Sequence, residues 1–233
     1  MKKIMIVTGG ALRPAFALSL LEREEPDVVV AVDGALAFFD LVEEKTGKRI
    51  KIDHLVGDFD TISPKILSKY MGDSQIEVHR FVPEKDNTDT DIAVDIALQL
   101  AGEDEAQIMI IGALGGRIDH MLANLQLLEL ISGRGKEGII LDETNRIRLI
   151  SGHVTLKRDQ QYGKYISLVP VSSHLRKLTM RGVRYPLENK DVTRGRSLLI
   201  SNEITSDTAE IMLGQGLAYL IESRDREGKE ENE

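Results

Sequence analysis

The feature that most restricts the fold is an alternation that runs through the first 141 residues. Short apolar runs are followed by glycine or aspartate turns, then by helical runs. Ile4 to Thr8 ends in Gly9-Gly10, Val28 to Val32 ends in Asp33-Gly34-Ala35, and Lys51 to Val56 ends in Gly57-Asp58. Ile76 to Val82, Gln107 to Ile111 and Ile139 to Leu141 complete six candidate strands. Val28 to Val32 is an unbroken β-branched run, the mark of a strand covered on both faces. The intervening segments read as helices over Ala15 to Glu24 (with Pro14 in the first turn), Leu36 to Glu44, Pro64 to Met71, Asp89 to Leu100 and Met121 to Ile131. Strands alternating with helices imply an α/β fold with a doubly wound, mostly parallel sheet.

The alternation stops near Asn145. From there the apolar segments are short, close together and punctuated by turns: Ile147–Ile150, Val154–Leu156, Tyr165–Val169, Leu175–Met180, Leu198–Ser201, Thr208–Leu213 and Leu217–Glu222. This spacing predicts a smaller antiparallel β-sandwich or barrel. The expected organisation is an α/β domain over 1–145, a β-sandwich over 146–223, and a charged, disordered tail over 224–233.

Composition narrows the function. The 233 residues are 42% hydrophobic, which fits globular domains. No apolar run reaches membrane-spanning length, and the start lacks the long apolar core of a signal peptide. With no cysteine, disulfides, zinc–thiolate sites and thiol nucleophiles are excluded, and a cytoplasmic location is expected. A net charge of −8 argues against nucleic acid as the main partner. It also means that a nucleotide triphosphate would need a divalent cation, Mg²⁺, to enter an acidic site.

Such a site is suggested by two acidic clusters, Gly57-Asp58-Phe59-Asp60-Thr61 and Lys85-Asp86-Asn87-Thr88-Asp89. If the first stays extended, Asp58 and Asp60 share a face with carboxylates roughly 7 Å apart. That would suit a hydrated Mg²⁺ held by one or two carboxylates and substrate phosphates. Thr88 is placed to cap the following helix, which puts Asp89 in its first turn. Taken singly, each cluster reads equally as a solvated turn, and Asp33 reads as the cap of its following helix. The loop from Gly112 to Gly116 matches no nucleotide fingerprint, yet glycines after a strand admit phosphate. Arg117 is suited to phosphate oxygens, and Asp119, His120 and Asn124 would lie together at the helix entrance. His120 has two readings, a structural residue or a substrate contact.

These segments, in this order, resemble the thiamin pyrophosphokinase family. The resemblance rests on Asp33-Gly34-Ala35, on both acidic clusters, and on Gly115-Gly116-Arg117-Ile118-Asp119-His120 with Asn124. It extends to Gly182-Val183-Arg184-Tyr185-Pro186-Leu187 and Ser201-Asn202-Glu203-Ile204. Thr61 and Asp91 stand where the family more often has serine and glutamate. The resemblance implies Mg²⁺-dependent transfer of the pyrophosphoryl group from ATP to the thiamin hydroxyl, leaving AMP. It implies a homodimer with thiamin between the catalytic domain of one subunit and the sandwich of the other. By the same resemblance, Asp58, Asp60 and Asp89 are catalytic and bind the metal. Asp33, Lys85, Asp86, Thr88, Arg117, Asp119, His120 and Asn124 belong to the nucleotide end, and Tyr185, Ser201 and Asn202 to thiamin. Stacking of Tyr185 on the cationic thiazolium would contribute about 0.5–2 kcal/mol; without the resemblance it reads as a strand aromatic. Two rival readings are a metal-dependent phosphohydrolase or transferase acting on another small alcohol, and a non-catalytic nucleotide or thiamin sensor.

Overall fold

The computed structural model describes residues 1–81 and 86–226, which divide between a unit Met1–Glu143 and a unit Thr144–Glu233. In the first unit, β1 (Lys2–Val7), β2 (Val28–Val32), β3 (His54–Gly57), β4 (Glu77–Arg80), β5 (Ala106–Ile111) and β6 (Glu137–Leu141) are all parallel. Their spatial order is β6-β5-β1-β2-β3-β4. The chain therefore steps outward from β1 through β4, returns to the other side of β1 as β5, and continues to β6. The reversal puts a topological switch point between β1 and β5, where open α/β sheets hold their ligands.

Five helices join the strands: α1 (Pro14–Glu24), α2 (Leu36–Thr46), α3 (Pro64–Met71), α4 (Asp89–Ala101) and α5 (Ile118–Gly133). Pro14 and Pro64 occupy the first turns of α1 and α3, where their missing N–H costs nothing. Gly47 ends α2 in the left-handed conformation (φ 67°). The α4 helix lies against β1, β2 and β3, beside α5 over β6, while α2 neighbours both α1 and α3. Right-handed crossovers in the two directions of travel set these groups on opposite faces of the sheet. Burial on both faces explains why Ile4–Val7, Val29–Val32 and Ile108–Ile111 are apolar without alternation. Among the described residues, no helix is long and apolar enough to cross a membrane.

Some limits move. The third strand starts at His54 and excludes Lys51 and Ile52, because the chain turns at Asp53, whose carboxylate accepts the Val29 N–H at 2.9 Å. The fourth ends at Arg80, and Val82 lies outside the described residues. The last helix begins at Ile118, three residues early, with no polar side-chain cap to mark it.

In the second unit, two antiparallel four-stranded sheets enclose one core. The first has the order β12 (Asn202–Glu203), β9 (Tyr165–Pro170), β14 (Ala218–Ser223), β7 (Asn145–Ile150). The second has the order β11 (Leu187–Thr193), β10 (His174–Arg181), β13 (Thr208–Met212), β8 (His153–Lys157). Ile166, Leu168 and Leu220 from one sheet pack with Leu175, Leu178 and Ile211 from the other, the arrangement of a sandwich. One expected strand fails and one strand is absent from the expectation. Leu198–Ser201 is a turn, with Leu199 alone tucked into the core, and the strand it precedes is only Asn202–Glu203. Leu187–Thr193 is a strand despite its polar sequence, because it is an edge strand that buries only Val192. Of the charged tail, Arg224–Arg226 is described and exposed; the remainder lies outside the described residues.

Candidate active site

The carboxyl ends of β1 to β5 open into one cavity of about 490 Å³. Its floor is backbone. Thr8, Gly9 and Gly10 follow β1, and Gly112 and Ala113 follow β5, on the two sides of the switch point. A Cβ on Gly10 would stand 2.1 Å from the Gly112 carbonyl oxygen, and one on Gly112 would stand 2.3 Å from the Thr8 carbonyl oxygen. Gly112 also has φ 77°. Only glycine permits two loops to meet this closely, and backbone without side chains lets an anion approach it.

The acidic wall follows β2 and β3. One carboxylate oxygen from each of Asp33, Asp58 and Asp60 lies within 4.8 Å of the others. The expected extended geometry of Asp58 and Asp60 is overturned. Phe59 adopts φ 64° with its ring buried, and the Asp60 N–H folds back to Asp58 Oδ1 at 3.3 Å. Burial of the Phe59 ring holds a turn that an aromatic residue seldom adopts, and the turn draws both carboxylates toward Asp33. Gly57 permits the approach, since a Cβ there would lie 3.0 Å from the Asp33 Cβ.

Asp33 does not cap the helix after it. It sits at φ 35° in a single 3₁₀ turn, and its Oδ2 accepts the Thr61 hydroxyl at 2.9 Å. Its Oδ1 is shut off from solvent and has no hydrogen-bond partner among the described residues. Burial raises the Asp33 carboxyl above the usual range; the Thr61 hydroxyl opposes this, while Asp89, Asp58 and Asp60 add to it. Asp89 is thus close enough to act on Asp33, though it does not join the group of three. It stands in the first turn of α4, capped by Thr88, whose hydroxyl accepts the Asp91 N–H at 3.2 Å. Both Thr88 and Asp89 line the cavity. Asp86 is exposed and outside the lining, and Lys85 lies outside the described residues.

At the far wall, Arg117, His120 and Asn124 line the cavity. Asn124 is buried and donates to the Ala113 carbonyl at 2.9 Å, which braces the glycine loop. His120 sits in the first turn of α5, exposed and with no hydrogen bond from its ring among the described residues, so it is not a cap. Arg117 makes a two-point pair with Asp119 at 3.1 and 2.5 Å. Asp119 also accepts the His120 N–H, and the Arg117 pair lowers its carboxyl to about 2. Asp119 therefore orients Arg117 and lies outside the lining.

The remaining three candidates lie in the second unit. Asn202 is buried and clamps Tyr185 through both amide atoms: its Oδ1 accepts the Tyr185 N–H and its Nδ2 donates to the Tyr185 carbonyl, each at 2.9 Å. The Tyr185 ring is 60% exposed, with the Arg184 guanidinium 5.7 Å from its centroid. Ser201 is exposed at φ 58°, its N–H donating to Ser167 Oγ at 2.9 Å. Sequence reasoning missed Thr8, Thr61 and Thr90 as site residues. Gly9-Gly10 read only as a turn, because its role depends on β5 lying beside β1, which no local pattern encodes.

Comparison with known proteins agrees with this layout. Residues 21–137 match the model described as thiamin pyrophosphokinase, catalytic domain, and residues 153–218 match thiamin pyrophosphokinase, vitamin B1 binding domain. Thiamine pyrophosphokinase of Bacillus subtilis (strain 168) is 34% identical over 170 residues, 72% of this chain and 77% of that protein. The solved structure of thiamine pyrophosphokinase from Bacillus subtilis matches with a TM-score of 0.81 and 29% identity, covering 97% of this chain and 100% of that one. A thiamin pyrophosphokinase family protein from Enterococcus faecalis matches at 0.77 and 28%, covering 97% and 100%. Matched in both of its units, the chain belongs to the thiamin pyrophosphokinase family.

Proposed function

We propose that this chain transfers the β,γ-pyrophosphoryl group of ATP to the primary hydroxyl of thiamin, releasing thiamin diphosphate and AMP. The observation that carries the reading is the cavity at the switch point. A glycine floor suited to phosphate faces a group of three carboxylates suited to a hard cation.

The residues present fit Mg²⁺. The donors are carboxylate oxygens, and the buried, unpartnered Asp33 Oδ1 is a polar atom that needs a cation or a proton. Asp33, Asp58 and Asp60 would hold the ion, a set that exchanges Asp89 for Asp33 relative to the sequence-based expectation. Bound there, Mg²⁺ would neutralise triphosphate charge that this acidic protein otherwise repels.

The chain's own groups do the rest. The N–H groups of the Gly9-Gly10 and Gly112–Gly116 loops receive phosphate oxygens, and Arg117, held ready by Asp119, pairs with them. Asp89 is within the cavity but apart from the three, so its carboxylate accepts the proton of the attacking thiamin hydroxyl. That hydroxyl oxygen bonds to the β-phosphorus as the α,β-bridging oxygen leaves with AMP. Positioning and charge supply most of the catalysis in such a transfer.

For thiamin, Tyr185 offers an exposed ring held at its backbone by Asn202, and Ser201 an exposed hydroxyl. We place them against the catalytic unit of a second copy in a homodimer, in the cytoplasm where ATP is made available. Support for pairing comes from apolar side chains left in water: Ile118 and Leu122, one turn apart on α5, and Leu198 and Ile200 in the second unit. An assay with ATP, Mg²⁺ and thiamin tests the reaction. Equal formation of AMP and thiamin diphosphate, abolished by EDTA, is expected. ADP as product refutes the reaction type, and thiamin binding without turnover points to a sensor.

A further inference from the structure

The other end of β3 and β4 carries a second constellation that the pyrophosphoryl chemistry does not use. His54 opens β3, three residues before Gly57 closes it, so it lies at the edge of the sheet away from the cavity. The parallel register pairs His54 with Glu77 and Val56 with His79. Paired residues in neighbouring strands share a face, and so do residues two apart in one strand. His54, Glu77 and His79 therefore project from the same side of the sheet, at the edge strand.

Their atoms converge. His54 Nδ1 is 3.1 Å from His79 Nε2. The Glu77 carboxylate reaches each ring at 3.6 Å, Oε2 to His54 Nδ1 and Oε1 to His79 Nε2. Two ligands about 2.0–2.1 Å from one tetrahedral zinc ion stand about 3.3 Å apart. The two ring nitrogens already stand near that separation, and one donor atom from each of His54, Glu77 and His79 lies within 4.8 Å of the others, so a rotation of the exposed Glu77 carboxylate would bring one oxygen to the third corner. The Glu77 side chain is exposed, so a fourth position would face water, while His54 is nearly buried and held by the strand.

We propose that His54, Glu77 and His79 form a site for a transition-metal dication of the zinc type, distinct from the acidic pocket. Two imidazoles and one carboxylate favour zinc, cobalt, nickel or copper over Mg²⁺, which prefers an all-oxygen octahedron. The all-carboxylate group at the opposite strand ends has the reverse preference, so one chain sorts two classes of cation. The ion would staple the edge strand β4 to β3, just before the chain passes toward Thr88 and Asp89.

The test is a titration of tag-free protein with Zn²⁺ in saturating Mg²⁺, alongside visible absorption with Co²⁺ as probe. One equivalent of Zn²⁺ is expected to bind, with the intense Co²⁺ bands of tetrahedral nitrogen ligation. His79→Ala should weaken Zn²⁺ by at least about tenfold and abolish those bands, whereas Asp58→Asn should change neither. Affinity and bands unaltered in folded His79→Ala would overturn the proposal. So would loss of both in Asp58→Asn, since the acidic pocket would then be the site. If His79→Ala does not fold, Glu77→Gln at the exposed corner serves instead: weaker binding supports the site, and unchanged binding and spectrum reject it.

Discussion

Asp33 joins two demands that pull against each other. Its carboxyl is partly buried, has one unpartnered oxygen, and lies near three other carboxylates. A carboxyl raised above its ordinary value of 3.8 binds its proton more readily in the folded chain, so ionisation opposes folding. That opposition is complete above the folded pKa and vanishes below 3.8. Asp33→Asn should therefore raise the metal-free melting temperature at pH 7 by a few degrees, about 2–4 °C per kcal/mol. The advantage should disappear in scans below pH 3.8 and reverse in saturating Mg²⁺, which stabilises only the chain that binds it. Asp89 carries a separate prediction. Because it is held in the cavity by a capped helix, Asp89→Asn should fold normally by circular dichroism yet lose at least about 100-fold in kcat. Near-normal turnover would remove it from the proton transfer.

At the scale of elements, the site depends on two loops meeting without side chains. Gly112→Ala puts a Cβ at φ 77° and 2.3 Å from the Thr8 carbonyl. The conformation alone costs about 1–2 kcal/mol, and the clash adds to it. Denaturant unfolding should show a loss of at least about 2 kcal/mol, with ATP affinity reduced as the floor opens. In the second unit, fully buried Glu222 on β14 bonds Arg146 at 2.6 and 2.7 Å, Arg148 at 3.3 Å and the Tyr162 N–H at 3.1 Å. Glu222→Ala leaves two half-buried guanidiniums facing each other and should cost about 3 kcal/mol in the same measurement. Strand alternation and helix caps such as Thr88 were legible in the sequence because they follow local rules. The Phe59 turn was not, since a buried ring between the two aspartates overrides the extended pattern. Nor was the Leu187–Thr193 strand, whose alternating apolar signal is absent at an edge.

At the scale of the molecule, the order in which strands pair makes a site from segments far apart in sequence. Thr8, Asp33, Thr61, Asp89 and Gly112 each end or follow a different strand, and all five line one cavity. Local reading found the acidic and glycine-rich members but had no means to set Gly10 against Gly112, because that contact follows from the chain reversing direction at β1. The central claim is that one cut at the α,β bridge of ATP sends two phosphates to thiamin. It is tested most directly by supplying thiamin and Mg²⁺ with ATP labelled separately at the α, β or γ phosphorus. The account predicts that β and γ label both appear in thiamin diphosphate and that α label appears only in AMP. Transfer of γ label alone, or release of β and γ label as free pyrophosphate, would contradict it.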